Sequence, residues 1–469
     1  MTLIIVLILL AGCLLIATSH ITKVNKAALA VFVGTLGWVL YICYGTDFVM
    51  SQHPHEYMEY LGGGQHSSLA VKYFIGENLF INYVGEAAAI VLFLLATMSI
   101  VEILNNNGCF DFVGEWIRTR NSKRLLWSIT VATFIISANL DNLTTTTMML
   151  TIMHNIVQNR RQRMVIGCAI VLAACAGGCF TVIGDPAGVI LWGSGAVTAT
   201  NFSLYLALPA IVAWCVPTYL LGKSLPDHLD VEWAAAPYRG DDTNLNRWQR
   251  IVMLIVGIGG LWFIPTFHNI TKLSPFLGAL CVLSVLWIVN EIFNHKLMNA
   301  DQMILRKVPR ILQYGSIQLM LFVMGVMLAL GVVEETGVLG MAATWMDHHV
   351  HNVWLVGAFS GLLSGVLDAF TVMMTGISMY PIVDSGDLAI LSNPSYMANF
   401  MQNGAFWKIM AYSTSIGGCL LCFSNPCGVA LMKMERMHVG WYLKNCTLGV
   451  FIGWLLGLAI LWAECSFLQ

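Results

Sequence analysis

The chain has 469 residues, 58% of them hydrophobic and 10% charged, with a formal net charge of -2. Soluble domains carry about 25% charged residues, so a soluble globular protein is excluded, and a near-neutral chain without a basic stripe is no nucleic-acid binder. Apolar runs recur from end to end, and about 20 apolar residues at 1.5 Å each cross the hydrocarbon layer, so the expected fold class is an all-α membrane protein, a polytopic helical bundle.

The first run, residues 2–18, lacks the charged front of a cleavable signal peptide and reads as the first span. Further spans are expected near 24–44, 82–104, 164–197, 203–222, 248–266, 274–293, 314–333, 406–436 and 441–464, with 338–352 as an additional short or surface segment. Short loops rich in Lys and Arg stay cytoplasmic. By that rule Lys23 and Lys26, the cluster Arg118 to Arg124, Arg160 to Arg163, Lys296 to Arg310, and Lys433 with Arg436 mark the cytoplasm. The acid-rich residues 45–80, Glu334 with Glu335, and Asp384 with Asp387 mark the periplasm. The chain then divides into N-terminal spans and a periplasmic loop (1–80), a first repeat (81–223), a connecting loop and spans (224–313) and a second repeat (314–469).

Two segments break the simple count. Residues 125–159 lie between basic clusters and carry the polar centre ANLDNLTTTT. The arm before that centre, 125–137, would reach only about 20 Å as a helix, short of a core of roughly 30 Å, so a re-entrant hairpin fits better than two spans. Its counterpart starts near Val353, turns at Leu367 to Thr371 and ends near Val383, between acidic flanks. After each hairpin comes an apolar run interrupted in mid-course, at Gly184, Asp185 and Pro186 in the first and at Ser424, Asn425 and Pro426 in the second. Proline removes a backbone donor and glycine loosens the chain, so a helix unwinds there. At an offset of 240 the breaks superpose Gly177, Gly178, Cys179, Pro186, Gly188 and Leu191 on identical residues, with Asp185 facing Asn425. At an offset of 227, Ser137, Leu140, Asp141 and Thr144 fall on Ser364, Leu367, Asp368 and Thr371. The loop charges insert the two hairpins from opposite faces, which makes this an inverted repeat with two re-entrant hairpins and two broken helices.

Unwound backbone at membrane depth survives only where protein or a water-filled cavity surrounds it, and repeat-built transporters place their sites at such half-helix ends. Asp141, Asp185 and Asp368 fall at these points, each costing on the order of 2.5 to 3.5 kcal/mol if charged at the bilayer centre. Each could instead cap a half-helix. Asn142, Thr144 and Thr145 add oxygens in the first half and Ser364, Thr371, Ser424 and Asn425 in the second, although a Thr can equally bond back to its own helix. No Lys or Arg lies within these strings except Lys433 just beyond the last. An anion would therefore meet repulsion, whereas a hard monovalent cation suits an oxygen-only shell. Burial and a neighbouring carboxylate favour the protonated form of a carboxyl group, so a proton can compete with Na+ or Li+. Asp141 and Asp368 are the expected proton-exchanging ligands, with Asp185 as a third ligand or electrostatic partner and no cofactor required.

The strings ANLDNLTTTT and GDPAGVILW resemble signatures of the NhaD-type sodium/proton antiporters, within the ion transporter superfamily that includes dicarboxylate and arsenite carriers. The resemblance extends from about residue 80 onward, with LDNLTTT its most specific part. It implies an inner-membrane antiporter of Na+ or Li+ against H+, built as a scaffold plus a moving transport domain in a homodimer. The rival within transporters is an anion or dicarboxylate carrier. From another class, an intramembrane aspartyl protease would also show paired aspartates but has no need of duplicated hairpins and breaks. His53, His55, His348, His349 and His351 read as solvated loop residues, with pH sensing as the other reading. Glu86 and Glu102 are pathway groups or scaffold pairs, and the C-x-x-C of Cys419 and Cys422 is too weak a signal for a metal site.

Overall fold

The computed structural model describes residues 2–22, 24–117, 119–229, 245–294, 314–384, 386 and 393–468. Lys23, Arg118, the charges from Lys296 to Arg310, and Asp387 lie outside the described residues. The described residues form helices and no named strand. The main helices are α1 (Thr2–Ala17), α2 (Lys26–Cys43), α3 (Ile81–Asn106), α4 (Ser122–Ser137), α5 (Asn142–Ile156), α6 (Arg160–Phe180), α7 (Pro186–Gly193), α8 (Ala199–Gly222) and α9 (Arg247–Thr271). They continue with α10 (Pro275–Asn294), α11 (Tyr314–Glu335), α12 (Val338–His349), α13 (Val353–Ser364), α14 (Ala369–Met379), α15 (Ala405–Gly417), α16 (Pro426–Glu435) and α17 (Leu448–Leu468). Eight described helical stretches are long and apolar enough to cross a membrane.

Asn and Asp start many of these helices because a short side-chain oxygen can take an orphan N–H of the first turn. Asn25 caps α2, Asn121 α4, Asn159 α6 and Asn352 α13. The acid-rich residues 45–80 differ from the loop expected of them. They fold as short helices at Gly45–Gln52 and Pro54–Leu61, and a third, Ser68–Phe74, runs through a π-helical stretch at Ile75–Phe80 into α3. Ser67 caps this helix, so α3 is entered some fourteen residues ahead of the apolar run itself. Residues 338–352 supply α12, whose 12 residues rise only about 18 Å and do not span the hydrocarbon core.

The helices pack in two groups. In one, α2 lies against α1 and α11, α11 against α3, and α3 against α9 and α10. The other holds α4 to α8 and α13 to α17, with α6 between α4 and α8, and α15 between α13 and α17. The groups meet where α7 touches α3 and where α14 touches α11, with α12 packed on both α11 and α14. Within the second group the partnership crosses over: α7 packs on α14, and α16 packs on α5. Each half-helix beyond a break thus lies on the second arm of the other hairpin. The half-helices before the breaks are the deepest elements, buried from Val165 to Cys179 in α6 and from Ala405 to Gly417 in α15.

Two of the basic clusters, Arg160 to Arg163 and the one ending at Arg436, meet around Glu435. Arg163 Nε lies 2.9 Å from the buried Glu435, His154 Nδ1 2.9 Å from it, and Arg160 donates to the Glu435 and Arg436 carbonyls at 3.0 and 2.7 Å. Elsewhere Asn403 binds the backbone of Ala196 and Thr198, and Asp347 accepts from Tyr396 and Tyr380.

Candidate ion site at the helix breaks

Each hairpin turns within four residues, Ala138–Asp141 and 365–368, and an aspartate ends each turn. Asp141 caps α5, accepting the Thr144 N–H at 2.8 Å, and Asp368 caps α14, accepting the Phe370 N–H at 3.3 Å. The second turn therefore closes at Asp368, earlier than the expected Leu367 to Thr371, and Thr371 sits inside the first turn of α14. The arms of 12 and 11 residues rise about 18 and 16 Å, well short of the core. Both breaks carry a matching cap: Asp185 accepts from Ala187 N at 3.3 Å, and Asn425 from Cys427 N at 2.9 Å, each followed by proline at the first helical position. Each aspartate cap uses one carboxylate oxygen and leaves the other, so capping does not occupy the whole carboxyl group.

The two offsets that align the strings also align the contacts. Ser137 Oγ donates to the Ala174 carbonyl and Ser364 Oγ to the Thr414 carbonyl, both at 2.7 Å. A Cβ on Gly177 would strike the carbonyl of Phe134, and one on Gly417 the carbonyl of Gly361. Gly188 approaches the Val182 carbonyl as Gly428 approaches that of Cys422. Asn142, its nitrogen oriented to the Ala174 and Gly184 carbonyls at 3.0 Å, ties the first hairpin to the first break. Ser424 closes the second break by donating to Gly418 O at 2.7 Å. Asn142, Ser364 and Ser424 thus hold the backbone in shape.

The carboxylates are all deeply enclosed: Asp141 is 5%, Asp185 8% and Asp368 6% exposed. Asp185 Oδ2 accepts from Ser415 Oγ at 2.7 Å, across 230 residues of chain. Asp368 feels the charges of Asp185 and of Lys26. Asp141 faces the start of α16 instead, where Cys427 feels its charge. Asp141 Oδ1 and the hydroxyls of Thr145 and Thr146 are buried without a hydrogen-bond partner. Asn425 donates to Cys175 Sγ at 3.0 Å. The aspartates thus sort into Asp185 with Asp368 on one side, and Asp141 with its threonines on the other.

Sequence reasoning missed Ser415 and Lys26. Lys26, counted there as a loop charge, donates from Nζ to the carbonyls of Phe423 and Ser424 at 2.9 and 3.3 Å, so the second break has a basic side chain after all. His53 is likewise not a solvated loop residue; its ring bridges Glu56 (3.0 Å) and the buried Glu335 (2.9 Å), which Tyr83 and Tyr41 also reach. His53, Glu56, Tyr83 and Glu335 rim a cavity of about 780 Å³ that runs between the two helix groups, past Glu86 and Glu334, to Val189 and Ile190 of α7 and Met374 of α14. Its inner wall is one to two turns from Asp185 and Asp368. Glu102 is not part of it and accepts from Asn106.

The sequence profile of the citrate transporter family, CitMHS, matches residues 1–401. Sodium/proton antiporter 2 of Arabidopsis thaliana is 29% identical over 375 residues, covering 80% of this chain and 84% of that protein. The Na(+)/H(+) antiporter NhaD of Vibrio parahaemolyticus is 24% identical over 382 residues, covering 75% and 84%. These relatives agree with the resemblance carried by ANLDNLTTTT and GDPAGVILW. In fold, the chain is similar to the crystal structure of the Alcanivorax borkumensis YdaH transporter, with a TM-score of 0.58 at 13% identity over 95% of this chain and 99% of that one.

Proposed function

Given that the chain belongs to the citrate transporter family CitMHS, we propose that it exchanges Na+ or Li+ for H+ across the inner membrane, by alternating access around the helix breaks. It is a multi-pass secondary transporter and not an enzyme; the proposal concerns the ions, the residues and the cycle. The observation that carries it is Asp141 Oδ1, a carboxylate oxygen buried without any donor. A buried carboxylate needs a compensating charge, and either a proton or a small cation can supply it. Thr144 and Thr145 stand on the first turn beyond Asp141, and Thr371 occupies the same place beyond Asp368. Asp368 lies within the field of Asp185, and a cation or a proton beside them relieves that repulsion. Cation entering from one side displaces protons, and protons from the other displace cation, so the two fluxes are coupled by competition for the same oxygens.

In this reading residues 81–223 and 314–469 are inverted repeats, their hairpins enter from opposite faces, and the chain works as a homodimer in the lipid bilayer. The names of the relatives support the ion pair, and the crossed packing of α7 on α14 and α16 on α5 supports the repeat. A carboxylate-carrying alternative draws on the family description and on the Lys26 ammonium, but three enclosed aspartates stand against it.

The test is proton flux in vesicles reconstituted with the purified protein. Sodium added outside should alkalinise the lumen, lithium should do the same, and citrate should not. Asp141→Asn and Asp368→Asn should each abolish the response. Full pH-coupled exchange in either variant, or flux driven by citrate alone, would refute the assignment.

A further inference from the structure

Lys26 opens α2, in the helix group that does not contain the breaks, and it crosses to the other group. Its ammonium donates to Phe423 O at 2.9 Å and Ser424 O at 3.3 Å, carbonyls of the second break some four hundred residues further along the chain. It also lies in the field of Asp368. Two main-chain carbonyls and a nearby carboxylate are oxygen ligands of the kind a hard cation takes, and lysines inside a bundle pair with just such groups. The asymmetry of the repeat fits: the first break carries Asp185, whereas the second carries the neutral Asn425 and receives its charge from outside. With all three ionised, Asp185, Asp368 and Lys26 leave one negative charge for one monovalent ion to neutralise.

We propose that Lys26 is a tethered cation seated at the second break, competing with the transported ion for the same oxygens and thereby setting the apparent affinity for Na+. This rests on the exchange reading above. The position of the seat adds a mechanical consequence. The open cavity approaches Asp185 and Asp368 from the end bearing His53 and Glu335, and Lys26 meets the break from α2. An ion that takes the carbonyls releases α2 from the break, so ion binding and relative movement of the two helix groups are coupled through one side chain.

Two measurements on the full-length protein test this. In reconstituted vesicles, Lys26→Gln should lower KM for Na+ by at least about threefold, as expected for removal of a competing charge, while Lys26→Arg, which keeps charge and donors, stays near the wild-type KM. In the unsubstituted protein, labelling with an amine-reactive reagent followed by peptide mass spectrometry should show Lys26 more reactive in NaCl than in choline chloride. This second experiment stands even if the Gln variant fails to fold. Wild-type exchange with an unchanged or raised KM in Lys26→Gln, or Lys26 labelling indifferent to Na+, overturns this inference alone. Absence of any Na+-driven proton flux in the wild type overturns the exchange reading and this inference together.

Discussion

Asp185 is held by a serine that nothing in its local sequence sets apart. Ser415 lies in the last turn of α15, where a hydroxyl ordinarily bonds back to its own helix, yet it donates to Asp185, 230 residues away, at 2.7 Å. A hydrogen bond to a charged acceptor is worth roughly 1.5–3 kcal/mol. Ser415→Ala should therefore weaken apparent Na+ affinity by at least about tenfold, since 1.4 kcal/mol is a factor of ten, with expression and thermal stability little changed. Titration of Na+-driven proton flux checks this, and an unaltered KM would remove Ser415 from the site. The aspartates themselves were legible because a charge in an apolar run is conspicuous. Ser415 and Lys26 were not, since each matters only through a contact hundreds of residues away. Lys26 in particular satisfies the loop-charge rule as well as any true loop lysine, and only the fold shows its ammonium turned toward the break.

Between elements, the matched glycines were the most readable feature, for a physical reason. Where two helices approach backbone to backbone, only glycine fits, so the same glycines recur at the same places in both halves. Gly177 against Phe134 and Gly417 against Gly361 are one contact made twice. Neither carbonyl belongs to a flexible side chain that could step aside. Gly417→Ala should then cost roughly 1–3 kcal/mol, the usual range for overpacking, seen as a lower unfolding temperature of the purified protein. Gly85→Ala is the control, because its Cβ would meet nothing within 4 Å and alanine is the better helix former. Equal behaviour of the two variants would show that the hairpin and the broken helix can separate without cost. What the sequence hid at this scale was helix formation in the acid-rich residues 45–80. Charge argued for a loop, but Ser67 and Pro54 start helices there and Tyr57, Val71 and Phe74 bury themselves in a small core shared with α1, α2 and α11.

Across the whole molecule, the two helix groups touch at opposite ends through different chemistry: Lys26 on the second break, and on the far side a cavity rimmed by His53, Glu56, Glu334 and Glu335. Three acidic groups at one mouth raise the local concentration of cations, and His53 is the basic residue that offsets them. Its hydrogen bond to Glu335, above all, lifts the His53 pKa over its ordinary 6.5, the nearby charges of Glu335 and Glu56 adding to the effect and burial opposing it. A histidine whose folded-state pKa is raised binds its proton more tightly when folded than when unfolded. Its contribution to stability is therefore complete below about pH 6.5 and is lost as pH rises through the raised folded value. Comparison of wild type with His53→Gln by thermal unfolding should show the largest difference below about pH 6.5, shrinking steadily as pH rises above it. A difference that widens with pH would mean that the neutral ring, not the imidazolium, links the segment around His53 to α11. Because Glu335 also accepts from Tyr83 on α3 and Tyr41 on α2, loss of the proton loosens the meeting point of three elements that flank the cavity mouth, while the buried contacts around α6 and α15 stay as they are.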